Sequence, residues 1–137
     1  MAAIFRLFDR LVMALFLRPF RALIVWSVQV SRFRGVRLDG EAPDGRDIHI
    51  ALSLAELCDG VTLGSEVGEP ERVIAGERVS VRHVTLQLKG GVLYVRDEGS
   101  VHGSSLNARR LQPRRHEKLA HGDWLCLGGT VLRLTFH

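Results

Sequence analysis

The stretch VTLQLKGGVLYVRD, residues 84–97, sets Val84, Leu86 and Leu88 in alternation with Thr85, Gln87 and Lys89, then places two glycines before the run Val92 to Arg96. A period of two marks a strand with one buried face, and a Gly-Gly pair supplies the positive φ angles of a two-residue hairpin turn. A hairpin is therefore predicted here. The same punctuation by glycine continues on both sides in DIHIALSL (47–54), GVTLGS (60–65), ERVIAG (71–76), WLCLGG (124–129) and TVLRLTF (130–136). Short apolar runs at this spacing predict an all-β chain folded as an antiparallel sandwich or barrel. In the last run Val131, Arg133 and Thr135 alternate with Leu132, Leu134 and Phe136, which places the two leucines and the phenylalanine in the core. LDGEAPDGRD, residues 38–47, reads as an exposed loop joining two early strands. VHGSSLN, residues 101–107, is too small and polar to continue either neighbouring strand and reads as a loop.

Composition limits the chain to one globular body: it has 137 residues, 46% hydrophobic and 25% charged. Cys58 and Cys126 are far apart, and Cys126 lies in an apolar run, so both are expected to be reduced, buried thiols. The net charge of +4 is unevenly spread. Residues 1–37 hold seven arginines against Asp9, giving +6, while the remainder holds 12 basic and 14 acidic residues, giving −2. The body therefore lacks the electrostatic footprint of a nucleic-acid binder.

From Val36 to His137 the order of motifs resembles the forkhead-associated (FHA) domain family. That family shows Gly-Arg after an early strand, then Ser-x-x-His, then Asn-Gly-x-x-x-Asn, then Gly-Asp before an apolar strand and a glycine. The corresponding stretches here are LGS (63–65), SVRH (80–83), HGSSLN (102–107) and HGDWLCLGG (121–129). The resemblance implies a β-sandwich over residues 36–137 whose loops at one end hold a phosphothreonine peptide. A phosphate dianion calls for an arginine fork, a serine hydroxyl and backbone N–H groups, and an asparagine can grip the peptide backbone through both its donor and its acceptor.

Carried over position by position, the resemblance makes Ser80 the phosphate-contacting serine, puts Ser65 where the family has its phosphate-binding arginine, and puts His102 where it has its peptide-gripping asparagine. Gly64, His83, Gly103 and Asn107 match positions that hold the loops. The expected partner-binding edge is thus Ser65, Ser80, Arg82, His102 and Ser104, with Arg82 or a protonated His102 as substitute cations. A hydrogen bond to a charged group is worth about 1.5–3 kcal/mol, so loss of the arginine weakens phosphothreonine binding at least ~10-fold.

Other chemistry finds little support. The six histidines have no metal-ligand spacing, and no metal or cofactor is expected. Ser104, Ser105, His102 and Asp97 contain the residue types of a nucleophilic triad, yet no strand-to-helix nucleophile elbow surrounds them. An enzyme with a small-molecule substrate is not expected. Arg109 and Arg114 flank Pro113 in what reads as a solvated loop of a hairpin.

Residues 1–34 differ from everything that follows. At about 100° per residue, Arg6, Arg10, Arg18, Arg21, Gln29 and Arg32 fall within an arc of roughly 140°, opposite a side that includes Phe5, Phe8, Phe16 and Trp26. The segment is expected to be an amphipathic helix, or a pair kinked at Pro19, lying on an anionic membrane surface. A spanning helix is disfavoured because Arg18 and Arg21 would sit near mid-membrane, and interrupting arginines disfavour a signal peptide. The sequence thus predicts a non-enzymatic FHA-like adaptor at the cytoplasmic side of a membrane, or in a membrane-associated assembly, with weakened phosphothreonine recognition. The alternatives are an orthodox phosphothreonine reader, and a structural subunit docked on a protein partner by its N-terminal helix.

Overall fold

The computed structural model describes residues 34–66, 68 and 72–137. The helix expected over residues 1–34, with Arg6, Arg10, Phe16, Arg18, Arg21, Trp26 and Arg32, lies outside the described residues except for Arg34. In chain order the elements are β1 (Gly35–Glu41), β2 (Asp47–Ser53), α1 (Leu54–Asp59), β3 (Val61–Leu63), β4 (Val84–Lys89), β5 (Val92–Asp97), β6 (Ser104–Leu106), β7 (Arg109–Arg110), β8 (His116–Lys118), β9 (Trp124–Leu127) and β10 (Thr130–Phe136). They form two antiparallel sheets, ordered β2-β1-β10-β9-β6-β7 and β3-β4-β5-β8. This is the all-β sandwich expected from the sequence.

The β4–β5 hairpin closes at Gly90 and Gly91, whose φ angles of 56° and 77° are those of a turn that matches strand twist. Its alternation sends Val84, Leu86, Leu93 and Val95 inward, to meet Leu38, Leu52, Leu125, Leu127, Leu132 and Leu134 from the other sheet. Full burial of each such side chain contributes about 1.5–3 kcal/mol relative to exposure. Leu88 and Phe136 are only partly buried and pack against this core.

Several local expectations are corrected. The 38–47 segment is mostly strand: Leu38 is buried and pairs with Ile50 and Leu134, so only residues 42–46 form the loop. The run 47–54 ends one residue early because Ser53 starts α1. Its hydroxyl accepts from the Glu56 N–H at 3.3 Å, and the Glu56 carboxylate accepts from the Ser53 N–H at 2.8 Å. This reciprocal capping box was legible as Ser-x-x-Glu. Of the expected strand over 71–76, the described residues 72–76 form only a single parallel bridge between Val73 and Gly64, fixed by Ile74 N–H donating to the Gly64 carbonyl. In 101–107 the last part is β6, held by Leu106 in the core. Arg109 and Arg110 likewise form an edge strand, leaving Arg114 in a turn. Both cysteines are free, but neither is buried: Cys58 rides the exposed side of α1 and Cys126 faces outward from β9.

Candidate functional site

The long β3–β4 connection and the β5–β6 connection meet at one end of the sandwich. His83 N–H donates to the Leu63 carbonyl at 2.9 Å, which sets the imidazole at the root of both loops, fully buried. Its Nδ1 accepts from the Ser80 N–H at 3.0 Å, so Nε2 carries the proton and donates to the Gly103 carbonyl at 2.9 Å. One side chain therefore ties the Ser80 turn to the 98–103 loop. Ser80 adds a second tie, since its Oγ accepts from the Val101 N–H at 3.0 Å. Gly103 is held again by Gly128, whose N–H donates to the same carbonyl at 3.2 Å. Any side chain at Gly103, where φ is 81°, would run into the Arg110 guanidinium.

Asp97, at the end of β5, organises the second loop. Its Oδ1 accepts from the N–H groups of Gly99 and Ser100, each at 2.8 Å, and its Oδ2 from the hydroxyls of Ser100 and Ser104, each at 2.6 Å. Burial alone would push the Asp97 carboxyl up, but these hydrogen bonds together hold it below its ordinary value. The neighbouring Glu98 is also lowered; burial opposes the shift, and the Thr85 and Arg96 side chains drive it.

The sequence-derived edge residues separate into three groups. Ser65 and Ser80 lie side by side, with Ser65 N–H donating to the Ser80 carbonyl at 3.0 Å, and Gly64 beside them is packed so closely on the Val81 carbonyl that no side chain fits. His102 is exposed and lines a cleft of about 290 Å³ with Gly103, Arg78, Arg110 and Cys126. Arg82 belongs elsewhere: it is exposed and lines a different cleft, with Glu56, Asp59, Glu66 and Arg72. Ser104 is corrected outright as an edge residue, because it is buried and its hydroxyl is spent on Asp97. That contact joins serine directly to carboxylate with no histidine between them, which leaves the triad grouping without its base.

Asn107 adopts a left-handed conformation (φ 50°), accepts from the Trp124 N–H through Oδ1 at 2.9 Å and donates through Nδ2 to Asp123 at 3.0 Å. It locks the turn between β6 and β7 to the start of β9. The sequence offered Asp97 only as part of the triad grouping and singled out neither Arg78 nor Arg110 for this end. The Asp-x-Gly-Ser pattern at Asp97 carried a turn signal, whereas nothing in the sequence shows that Arg78 and Arg110 meet at one cleft. Neither arginine has an ion-pair partner among the described residues. No group of residues able to hold a metal ion occurs among the described residues, and no helix there is long and apolar enough to cross a membrane.

Comparison with known proteins gives a consistent result. Residues 61–128 match the family model described as FHA domain. An FHA domain of an Arabidopsis thaliana hypothetical protein superposes with a TM-score of 0.65 at 24% identity, over 76% of this chain and 86% of that one. The FHA domain of the Chlamydia trachomatis CT664 protein gives 0.62 at 17% identity, over 75% of this chain and 98% of that one. The FhaA FHA domain, solved in complex with the intracellular domain of Rv3910, gives 0.55 at 22% identity, over 72% and 98%. At these identities the likeness is one of fold. Comparison of the sequence with curated proteins gave no match.

Proposed function

The chain belongs to the FHA-domain family, whose members are phosphopeptide-binding protein-interaction modules, and from that premise we propose that it is a non-enzymatic adaptor whose phosphothreonine recognition is weakened. The observation that carries this reading is Ser65. Its backbone is fixed against Ser80 beside the reading loops, but its side chain is a short neutral hydroxyl where the family pattern places a cationic fork. Ser80 keeps a hydroxyl, yet that oxygen already accepts from Val101. A serine there lacks the two parallel charge-assisted bonds of arginine, a loss of at least ~10-fold in affinity.

Residues 1–34 supply the second half of the proposal. Seven arginines within residues 1–37 and an aromatic side containing Phe16 and Trp26 fit a tether that holds the domain at an anionic membrane surface on the cytoplasmic side. The partner is a protein, consistent with the FhaA relative having been solved with the intracellular domain of another protein.

Titration of the intact chain with a phosphothreonine peptide library tests the reading. Binding tighter than ~10 μM that disappears on dephosphorylation overturns it. The double substitution Ser65→Arg with His102→Asn is expected to raise affinity at least ~10-fold, since it restores both charge and backbone grip. A second reading, orthodox phosphothreonine recognition, draws on one specific observation: Arg78 and Arg110 are unpaired and share a cleft with His102. Under that reading the wild-type chain binds tightly, and Arg78→Ala with Arg110→Ala abolishes binding.

A further inference from the structure

The outward face of the six-stranded sheet carries an ordered pattern that borders the cleft of His102 only at its β7 end, through Ser105, Arg110 and Cys126. The strand registers set Asp47 opposite Glu41, Glu41 opposite Val131, Val131 opposite Cys126, Cys126 opposite Ser105 and Ser105 opposite Arg110. The result is one unbroken row across all six strands, acidic at the β2 end and basic at the β7 end. The next row runs His49, Asp39, Arg133, Trp124, with the Arg133 guanidinium 5.6 Å from the Trp124 ring centre. At the centre of the face Trp124 is 48% exposed and Val131 42% exposed, on adjacent strands and diagonal to each other.

We propose that this face binds a second copy of the chain, sheet against sheet, about a two-fold axis running along the strands between β9 and β10. Such an axis exchanges β10 with β9, β1 with β6 and β2 with β7. Each row then meets itself reversed: Asp47 faces Arg110, Val131 faces Cys126, and Arg133 faces Trp124 of the second copy, each contact occurring twice. The two rows oppose no like charges. An axis laid across the strands between the same rows would instead set each strand on its own counterpart and bring Glu41 against Asp39.

The charge pattern therefore selects one of the two simple ways of stacking the face on itself. Near-parallel strands also suit the aligned packing that twisted sheets adopt. Six strands about 4.8 Å apart, from seven residues long in β1, β2 and β10 down to two in β7, offer on the order of 500 Å² per copy at about 3.3 Å per residue. The total of about 1,000 Å² is at the lower limit for a specific interface, so the dimer is weak and concentration-dependent. This inference rests on neither reading of phosphopeptide binding; Arg110 lines the His102 cleft as well, whereas Trp124 and Val131 lie outside it and keep the two tests apart.

Sedimentation velocity of the full chain, from about 1 to 500 μM, tests it. Wild type is expected to pass from monomer to dimer over that range, and Trp124→Glu to remain monomeric, with Val131→Asp as the second disabling variant should the first fail to fold. Asp47→Arg and Arg110→Asp should each weaken dimerisation at least ~10-fold, and the two combined should restore it, because the charge pair is then exchanged in both copies. A wild type that stays monomeric refutes the proposal. So does association unaffected by the Trp124 and Val131 variants, the result expected if residues 1–34 drive it. A combined variant no better than either single one refutes it as well.

Discussion

Replacing His83 with alanine removes the buried side chain that joins the Ser80 turn to the 98–103 loop, and leaves the Ser80 hydroxyl as the remaining side-chain tie between them. The imidazole accepts from Ser80 N–H and donates to the Gly103 carbonyl with no exposure to solvent, so water cannot take over either bond without opening the site. Leaving the Ser80 N–H unsatisfied costs about 1–3 kcal/mol. The Gly103 carbonyl keeps its bond from Gly128 and loses only the net worth of one neutral hydrogen bond, about 0.5–1.5 kcal/mol. With a further ~1 kcal/mol for the space left by the ring, the variant should be destabilised by about 3 kcal/mol. For a domain of roughly 100 residues that corresponds to a fall in Tm of about 12–24 °C.

His83→Asn discriminates the source of the effect. Its Oδ1 can take the place of Nδ1 as acceptor for Ser80, while the Gly103 carbonyl keeps only its bond from Gly128, so it should recover about 1 kcal/mol or more of the loss. Amide exchange at Ser80, Val101 and Gly103 should quicken in the alanine variant and less so in the asparagine variant. A change in Tm of less than about 5 °C for His83→Ala would refute the tie, and with it the placement of both loops.

Further outcomes follow from other parts of the molecule. The Asp97 and Glu98 carboxyls are both held below their ordinary values in the folded chain, so the stability they contribute is present above those values and is lost as pH falls through the lowered ones. Urea midpoints should therefore decline below about pH 4, and Asp97→Asn should flatten that decline; an equally steep fall in the variant would rule out Asp97 as its source. Ser53→Ala removes the hydroxyl of the α1 capping box and should cost about 1 kcal/mol, readable as a fall of about 4–8 °C in Tm. The intact chain should float with anionic liposomes, with affinity falling but not vanishing as salt rises, because charge attraction is screened and apolar burial is not. Phe16→Asp with Trp26→Asp should weaken flotation nearly as much as deleting residues 1–34, and unaltered flotation would dismiss the aromatic side as the anchor.

The sandwich was legible because its central hairpin states its period twice, in Val84, Leu86, Leu88 and again from Val92. The same kind of evidence misled at residues 47–54, where Leu52 and Leu54 continue a strand pattern across Ser53. There a local capping box overrode periodicity, since Glu56 satisfies Ser53 before another strand residue can pair. At residues 71–76 the apolar run was real, but Ile74 entered the core from a connection and not from a ladder. Within the candidate site, the glycine and histidine positions could be read because motif order fixes them. The convergence of Arg78 with Arg110 could not, because it depends on how the loop before β4 packs on the β9–β10 turn: a side chain at Gly128 would strike Arg78.

The contacts at the Ser80–Gly103 end of the sandwich also separate what holds the loops from what faces outward. Among the described residues the ties run through His83, through the hydroxyls of Ser80, Ser100 and Ser104, through Asp97, and through the backbone of Gly103 and Gly128. Ser65 joins that network by its N–H alone, and His102 is exposed. A backbone N–H is retained by any residue except proline, so position 65 can change its side chain without loosening the loop. Ser65→Arg with His102→Asn should therefore lower Tm by no more than about 4–8 °C, since surface substitutions away from caps and buried bonds cost at most about 0.5 kcal/mol each. A large fall in Tm would mean that the Ser65 side chain is itself part of the scaffold, and that its departure from the family pattern is a structural adjustment instead of a change in what the loops recognise.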